Sequence, residues 1–289
     1  MCMFLVSIIF VISIRNTLCL LQPLQNPSLG NRCSFLTPNI KSPNNDIEYL
    51  QICLQRSLSG IKSILKDEPN CDLVEVEFLP LRKNDISVSE TLDSNTNFVV
   101  NLSKLLSDDE STWIVFPDRK EASLALGTHN FGNCMVTYIK EAIYMINECE
   151  NTKEPNLCIL VNPGFNIEEW ILAADLSNNE TKFPIISING NLDRLRNGYY
   201  PGIFYPGLSK VSKKFYWKAK QAFFLQPIAV DGNRFAGYLA REYPGPFEIL
   251  SRKRNDPYYQ VIHQMENNQD AKSLDFNQIN KFVKTYYME

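Results

Sequence analysis

Histidine is scarce in this chain: His129 and His263 are the two among 289 residues, which excludes a multi-histidine metal centre. There is no GxxxxGK loop, no GxGxxG, no HExxH, no GxSxG and no Cys-x-x-Cys, so the common phosphate cradles, the zinc peptidase helix, the hydrolase elbow and the zinc ribbon are all missing. No strong charge of one sign is present either. A formal net charge of -3 gives no global attraction to nucleic acid or to a membrane. Phe4 to Ile14 is an apolar run of 11 residues, shorter than the roughly 17 to 25 that a spanning helix needs and of the length of a signal-peptide core.

Acid is absent before Asp46, and no Lys or Arg precedes Arg15. The segment Gln22 to Asn45 is rich in Asn, Pro, Ser and Leu, as transit peptides are. An apolar signal followed by an acid-free stretch reads as two successive addresses, which predicts a plastid with extra membranes reached through secretory entry. A simple secreted protein and a short membrane anchor are the competing readings. Cysteine favours a reducing interior: of 8 Cys, Cys53, Cys71, Cys134, Cys149 and Cys158 lie in the body, an odd number without regular spacing. Residues 1–45 are thus expected to be a targeting leader and 46–289 a single α/β domain.

What is present is a hydrophobic content of 44%, enough for a large core. Asn45 and Glu48 form a capping box, after which Ile47, Leu50, Leu54, Leu58, Ile61 and Leu65 recur at helical spacing. Val74, Val76 and Phe78 alternate with Glu75 and Glu77, which predicts a strand with one wet face. Trp113 to Phe116, Leu157 to Val161 and Phe183 to Ile188 read as parallel strands. Met135 to Ile146 reads as a helix, and Asn166 with Glu169 caps another running to about Asp175.

Strand alternating with helix predicts an α/β fold, a mostly parallel sheet with flanking helices. Ala222 to Ala229, Arg234 to Ala240 and Phe247 to Ser251, with turns at Asp231-Gly232 and Pro244-Gly245-Pro246, extend it by a C-terminal antiparallel meander. Phe276, Ile279, Phe282, Val283 and Tyr286 share one face of a closing helix that docks on the core.

The three parallel strands each end in polar turn formers, and the carboxyl ends of such strands share one rim where ligands bind. Asp118, Asn162, Asn189 and Asn191 are therefore candidate binding residues, although Asp and Asn also cap helices and form turns for purely structural reasons. The stretch NGNLDRLRNGYYPGIFYPGL adds Asp193, Arg194, Arg196, Tyr199, Tyr200 and Tyr205, and is expected to pack over the rim with a guanidinium gripping a carboxylate or phosphate. Arg241 is grouped with them.

Lys210, Lys213, Lys214, Lys218 and Lys220 surround Phe215, Tyr216 and Trp217. Such a segment is either a basic surface for single-stranded nucleic acid or an anionic membrane, or a helix with a core aromatic stripe and solvated lysines. Charge is uneven around it, with 5 Lys+Arg against 13 Asp+Glu over Asn101 to Glu180, and 13 against 4 over Thr181 to Arg254. A Cys134/His129 nucleophile pair lacks an orienting third group. No catalytic residue, metal or cofactor is expected.

VFPDRKEASLAL, ILVNPGFNIEEW, SINGNLDRLRNGYYPGIFYPGL, FFLQPI and REYPGPFEIL, in this order, resemble the domain of unknown function 1995 family of cyanobacteria and plastids. The likeness runs from about Asp46 to about Gln264. It implies a stromal or thylakoid-associated assembly factor for the inner chlorophyll-binding antenna protein of photosystem II, acting with partner factors or on that nascent membrane protein. Peripheral contact with the thylakoid belongs to that expectation, and nucleic acid does not. The family carries no established catalytic residues. Some relatives are fused to an adenylate kinase domain, whose phosphate loop this chain lacks, and Phe247 stands where the plant pattern has Trp. A second expectation, from a different class, is a small-molecule or nucleotide-phosphate binding enzyme using the strand-end crevice.

Overall fold

The computed structural model describes residues 40–41, 46–80, 87–106, 110–148, 154–164, 166–177, 183–196, 199–230, 234–254, 256, 258–265 and 275–288. All lie within one compact unit, Phe35–Glu289. Almost all of the expected leader, the Asn45 half of the first capping box and the Asp231-Gly232 turn fall outside the described residues. Ile40–Lys41 is described, and it forms an outer strand, β1, antiparallel to the body of the sheet.

Helix α1, Asp46–Asp67, opens the body. Its buried face is Tyr49, Cys53, Ile61 and Ile64, with Leu50, Leu54, Leu58 and Leu65 packed at the margins, while Ile47 of the expected stripe is exposed. Gly60 lets this helix lie directly on the sheet, because a Cβ there would sit 2.1 Å from the Ala222 carbonyl oxygen.

Strand β2, Leu73–Glu77, follows, then α2, Val88–Leu106, a helix that the sequence reading left out. β3 is Thr112–Phe116, α3 Arg119–Thr128, β4 Met135–Tyr138 and α4 Ile139–Glu148. The helix expected over Met135 to Ile146 is thus strand over its first third. Met135 to Tyr138 pairs with Trp113 to Phe116 as an edge strand, and that gain of sheet hydrogen bonds outweighs helical periodicity over four residues. β5 is Leu157–Val161, α5 Ile167–Asp175 and β6 Ile185–Ile188. Asn166 caps α5 by accepting a hydrogen bond from the Glu169 amide at 3.1 Å.

A short helix α6, Asp193–Arg196, and α7, Pro206–Lys214, lead through a 3-10 turn, Tyr216–Lys218, into β7, Lys220–Val230. β8, Arg234–Glu242, β9, Glu248–Ser251, β10, Tyr258–Gln264, and α8, Phe276–Met288, complete the described chain. β10 extends the expected meander by one strand.

Among the described residues the sheet has ten strands in the order β1-β10-β9-β8-β7-β2-β6-β5-β3-β4. Neighbours from β7 to β4 are parallel, and those from β7 through β8, β9 and β10 to β1 are antiparallel. The fold is therefore α/β, a mostly parallel core with flanking helices and a C-terminal antiparallel meander.

One face of the parallel part packs with α1, α2 and α3 through Val74, Val76, Ile114, Ile159 and Ile186. The other packs with α4, α5 and α7 through Leu73, Trp113, Leu160 and Ile185. Residues such as Ile114, Ile159 and Ile186 are wholly buried, worth roughly 1.5 to 3 kcal/mol each relative to exposure. α8 closes the meander through Ile279, Val283 and Tyr287, whereas Phe282 of the expected face is largely exposed.

The wet face expected for β2 does not exist. β2 lies between β6 and β7, parallel to both, and such central strands are covered on both faces. Glu75 is fully buried on the α5–α7 side, and what keeps a carboxylate there defines the next level of structure.

Candidate functional site

The Glu75 carboxylate is met by Arg196 at both oxygens, Nη1 donating to Oε2 at 2.8 Å and Nη2 to Oε1 at 2.7 Å. Gln221, in register beside Glu75 on β7, donates its Nε2 to Oε2 at 2.9 Å. The Gln221 Oε1 in turn accepts from Arg241 Nη1 at 3.3 Å, and Arg241 Nε donates to the Gly245 carbonyl at 3.1 Å. Arg241 also lies over the Phe247 ring, 5.0 Å from its centroid. Arg196, expected at the rim to grip a carboxylate or phosphate, grips the protein's own Glu75. Arg196 and Glu75 are a two-point ion pair in a dry interior, where such geometry is strongest and each partner depends on the other.

The strand ends form a second, connected network. Asn162 follows β5 and Asn189 and Asn191 follow β6, and all three adopt left-handed backbone with φ of 45°, 51° and 51°. Asn tolerates that region because its short polar side chain bonds locally.

The Asn189 side chain accepts from the Phe78 amide at 2.8 Å and donates to Asn95 Oδ1 on α2 at 2.7 Å, while its own amide donates to the Val76 carbonyl. It therefore ties β6 to the end of β2 and to α2. The Asn162 amide donates to Ile188, the Asn191 amide donates to Glu77 Oε2 at 3.1 Å, and Asn191 Nδ2 reaches the Asn189 carbonyl. Asp118 accepts from the Glu121 amide at 2.9 Å as the cap of α3.

The Trp170 ring packs under this rim, its Nε1 donating to the Gly190 carbonyl at 3.2 Å. Gly164, with φ of 111°, leaves it room, since a Cβ there would lie 2.3 Å from the ring.

Several carboxyls titrate abnormally here. Burial, then the charges of Asp193 and Glu75, hold Glu77 well above the ordinary carboxylate range. Burial and Glu75 likewise raise Asp193. Burial, followed by Asp118 and Glu169, lifts Glu121 to about 7. Glu169 is itself engaged by the Gly164 amide and by Asn166. Among the described residues no group of three or more His, Cys, Asp or Glu is placed to hold a metal ion. Cys53, Cys71, Cys134 and Cys158 form no disulfide, and His129 pairs with Asp93 at 2.9 Å.

Outside this interior lies a different kind of surface. Tyr200 packs edge-on to Trp170 and to Tyr205, with ring centroids 5.5 Å apart in both cases. Tyr199 is exposed and has the Arg194 guanidinium 5.9 Å from its centroid. Ile203 and Phe204, which sequence reasoning quoted but did not single out, are 91% and 76% exposed.

In α7 the lysines Lys210, Lys213 and Lys214 face outward while Leu208 and Ser212 face the core. Phe215 and Tyr216 are core, as a buried aromatic stripe requires, but Trp217 is 38% exposed beside exposed Lys218. Lys220 does not belong to this surface: it begins β7 and pairs with Glu68, just beyond α1, at 3.1 Å. A crevice of about 160 Å3 between the Tyr200–Gly202 turn and α7 is lined by Tyr200, Leu208, Ser209, Ser212 and Trp217, with Arg196 at its floor. A hollow of about 250 Å3 lies far along the chain, between β10 and α8.

The family whose sequence model matches the chain is described as Domain of unknown function (DUF1995), and the match covers residues 48–275. No curated protein and no solved structure matches.

Proposed function

We propose, from the premise that the chain belongs to the Domain of unknown function (DUF1995) family, that it is a non-enzymatic plastid assembly factor assisting biogenesis of a photosystem II chlorophyll-binding subunit. Its motif blocks resemble those of the chloroplast protein low photosystem II accumulation 3. One observation carries the reading: Arg196, Asn189 and Asn191 bond within the protein, although Asn162 Nδ2 has no hydrogen-bond partner among the described residues, while an aromatic and basic face stands outside them. Arg196, Asn189 and Asn191 hold the protein's own Glu75, Phe78, Asn95 and Glu77. Tyr199, Ile203, Phe204, Tyr205 and Trp217 are offered outward with Lys210, Lys213 and Lys218 around them. Large apolar side chains rimmed by polar ones mark interaction surfaces.

The client is the nascent chlorophyll-binding protein or a factor acting with it, met from the stroma or at the thylakoid. Affinity purification of the tagged full chain from organelles tests this. Recovery of photosystem II or insertase subunits is expected, and a preparation devoid of both contradicts it.

A second reading, a small-molecule or nucleotide-phosphate binding enzyme at the strand ends, draws on Glu121, lifted to about 7, and on the buried Asn162, whose Nδ2 has no hydrogen-bond partner among the described residues. A thermal-shift screen with nucleotides and sugar phosphates decides it, because a ligand at a hundred times its Kd stabilises by about 2.7 kcal/mol.

No helix of the described residues is long and apolar enough to cross a membrane.

A further inference from the structure

The turn from Pro201 to Tyr205 is an exposed tip held by its own hydrogen bonds. The Phe204 and Tyr205 amides both donate to the Pro201 carbonyl, at 3.0 and 3.1 Å, and the Ser209 amide ties the start of α7 to Tyr205 at 2.9 Å. Tyr200 stacks edge-on between Tyr205 and the buried Trp170 and so fastens the tip to the core. A tip held this way loses little conformational freedom on docking.

The turn carries two consecutive large apolar residues, Ile203 and Phe204, both exposed, Ile203 almost fully. Amphipathic rings flank them, Tyr199 and Tyr205 at the turn and Trp217 across the crevice. Along the turn and α7 the chain's charge has one sign, although α5, which packs against α7, brings Asp175 close to Tyr216. From Tyr199 to Lys220 there is no Asp or Glu. Lys210 and Lys213 face outward on α7, Lys218 follows Trp217, and Arg194 stands over Tyr199. The nearest acid preceding the turn, Asp193, is largely buried toward Glu75 and Arg196.

From this arrangement we infer that the Pro201–Tyr205 turn is a membrane-docking tip for an anionic bilayer, with Ile203 and Phe204 entering the acyl region and Lys210, Lys213 and Lys218 meeting acidic headgroups. The inference rests on the reading of this face as the recognition surface, and does not require a plastid client. Two exposed apolar side chains with Tyr and Trp beside them and lysines behind match the layering of a membrane interface, the level at which a nascent membrane protein is also met. The overall charge of -3 does not oppose docking, because screening confines the relevant field to the local basic cluster.

The test is co-sedimentation of the full chain with vesicles of phosphatidylcholine, alone or with about one-third phosphatidylglycerol. The chain is expected to sediment with the anionic vesicles at low ionic strength, and to be released by salt. An Ile203→Ser/Phe204→Ser variant, changed only at exposed positions, should keep the wild-type unfolding midpoint and partition at least about tenfold more weakly. Replacing Lys210, Lys213 and Lys218 by Gln should weaken binding by about a hundredfold. Trp217 emission should be quenched by brominated lipid, since Trp113 and Trp170, the other two tryptophans, are buried. Failure to sediment with anionic vesicles at low salt, unchanged partitioning of the Ser variant, or retention on a single-stranded oligonucleotide in place of vesicles would each overturn the inference. Such a failure leaves the client's co-purification as a separate result, so the two readings fall independently.

Discussion

Arg196 and Glu75 meet inside the sheet as a two-point ion pair, at 2.8 and 2.7 Å, although 121 positions separate them in the chain. The pair turns what resembles an anion-gripping arginine into part of the architecture. It also anchors α6, from which the exposed turn departs. On the proposed function, recognition lies on the outside face and not at the strand ends.

Arg196→Met leaves the Glu75 charge buried with Gln221 as its remaining side-chain donor. Removal of one partner of a buried pair costs about 3 to 5 kcal/mol. Urea unfolding at neutral pH should show a loss of that size, and Glu75→Gln combined with Arg196→Met should recover much of it. Equal losses in the single and double variants would mean that the two side chains are not energetically coupled.

Glu77 should make the protein less stable as pH rises. Burial raises its folded-state pKa well above 4.5, so the folded chain keeps a proton that the unfolded chain releases. Stability is then full below the unfolded value and declines as pH climbs above about 4.5. Glu77→Gln should match wild type at acid pH and exceed it at neutral pH in urea midpoints. Glu121→Gln should act in the same direction, with its difference from wild type developing between 4.5 and about 7. Parallel pH curves for wild type and either variant would contradict the buried carboxyl concerned.

Asn189 and Asn191 share a left-handed backbone but not a role. Asn189→Gly keeps the backbone and strands the Phe78 amide and Asn95, a cost of about 2 to 4 kcal/mol. Asn191→Gly keeps the main-chain bond to Glu77 and should change stability by about 0.5 kcal/mol or less. Thermal unfolding of the two variants measures the contrast.

Gly164→Ala forces a Cβ against the Trp170 ring at a φ of 111°. A loss of about 3 kcal/mol or more is expected, together with a changed near-ultraviolet signal as the indole leaves the Gly190 carbonyl.

The parallel core was legible because its signals are local. β3, β5 and β6 are short apolar runs between turn formers, and the Asn166 cap announces α5. β2 misled because alternation reports polarity and not exposure: Glu75 and Glu77 look solvated until Arg196 and the Asn191 amide are brought to them from the far side of the chain.

α2 carried a readable start, since Ser87 and Glu90 form a reciprocal capping box. The face of α8 was drawn through Phe282, whereas Ile279, Val283 and Tyr287, four apart, do the packing. In the candidate site the segment from Asn189 to Leu208 was visible as a unit, but its division into an inward Arg196 and an outward Ile203 and Phe204 depends on how the turn folds back over Trp170.

The measurement that tests the account most directly is site-specific photocrosslinking in organelles from a photoreactive phenylalanine at position 204, compared with one at Leu124, an exposed position on α3. The outer face as recognition surface predicts adducts with photosystem II assembly partners, the nascent chlorophyll-binding protein or the lipid around it from position 204, and little from position 124. Equal yields from both positions, or adducts from Leu124 alone, would contradict it.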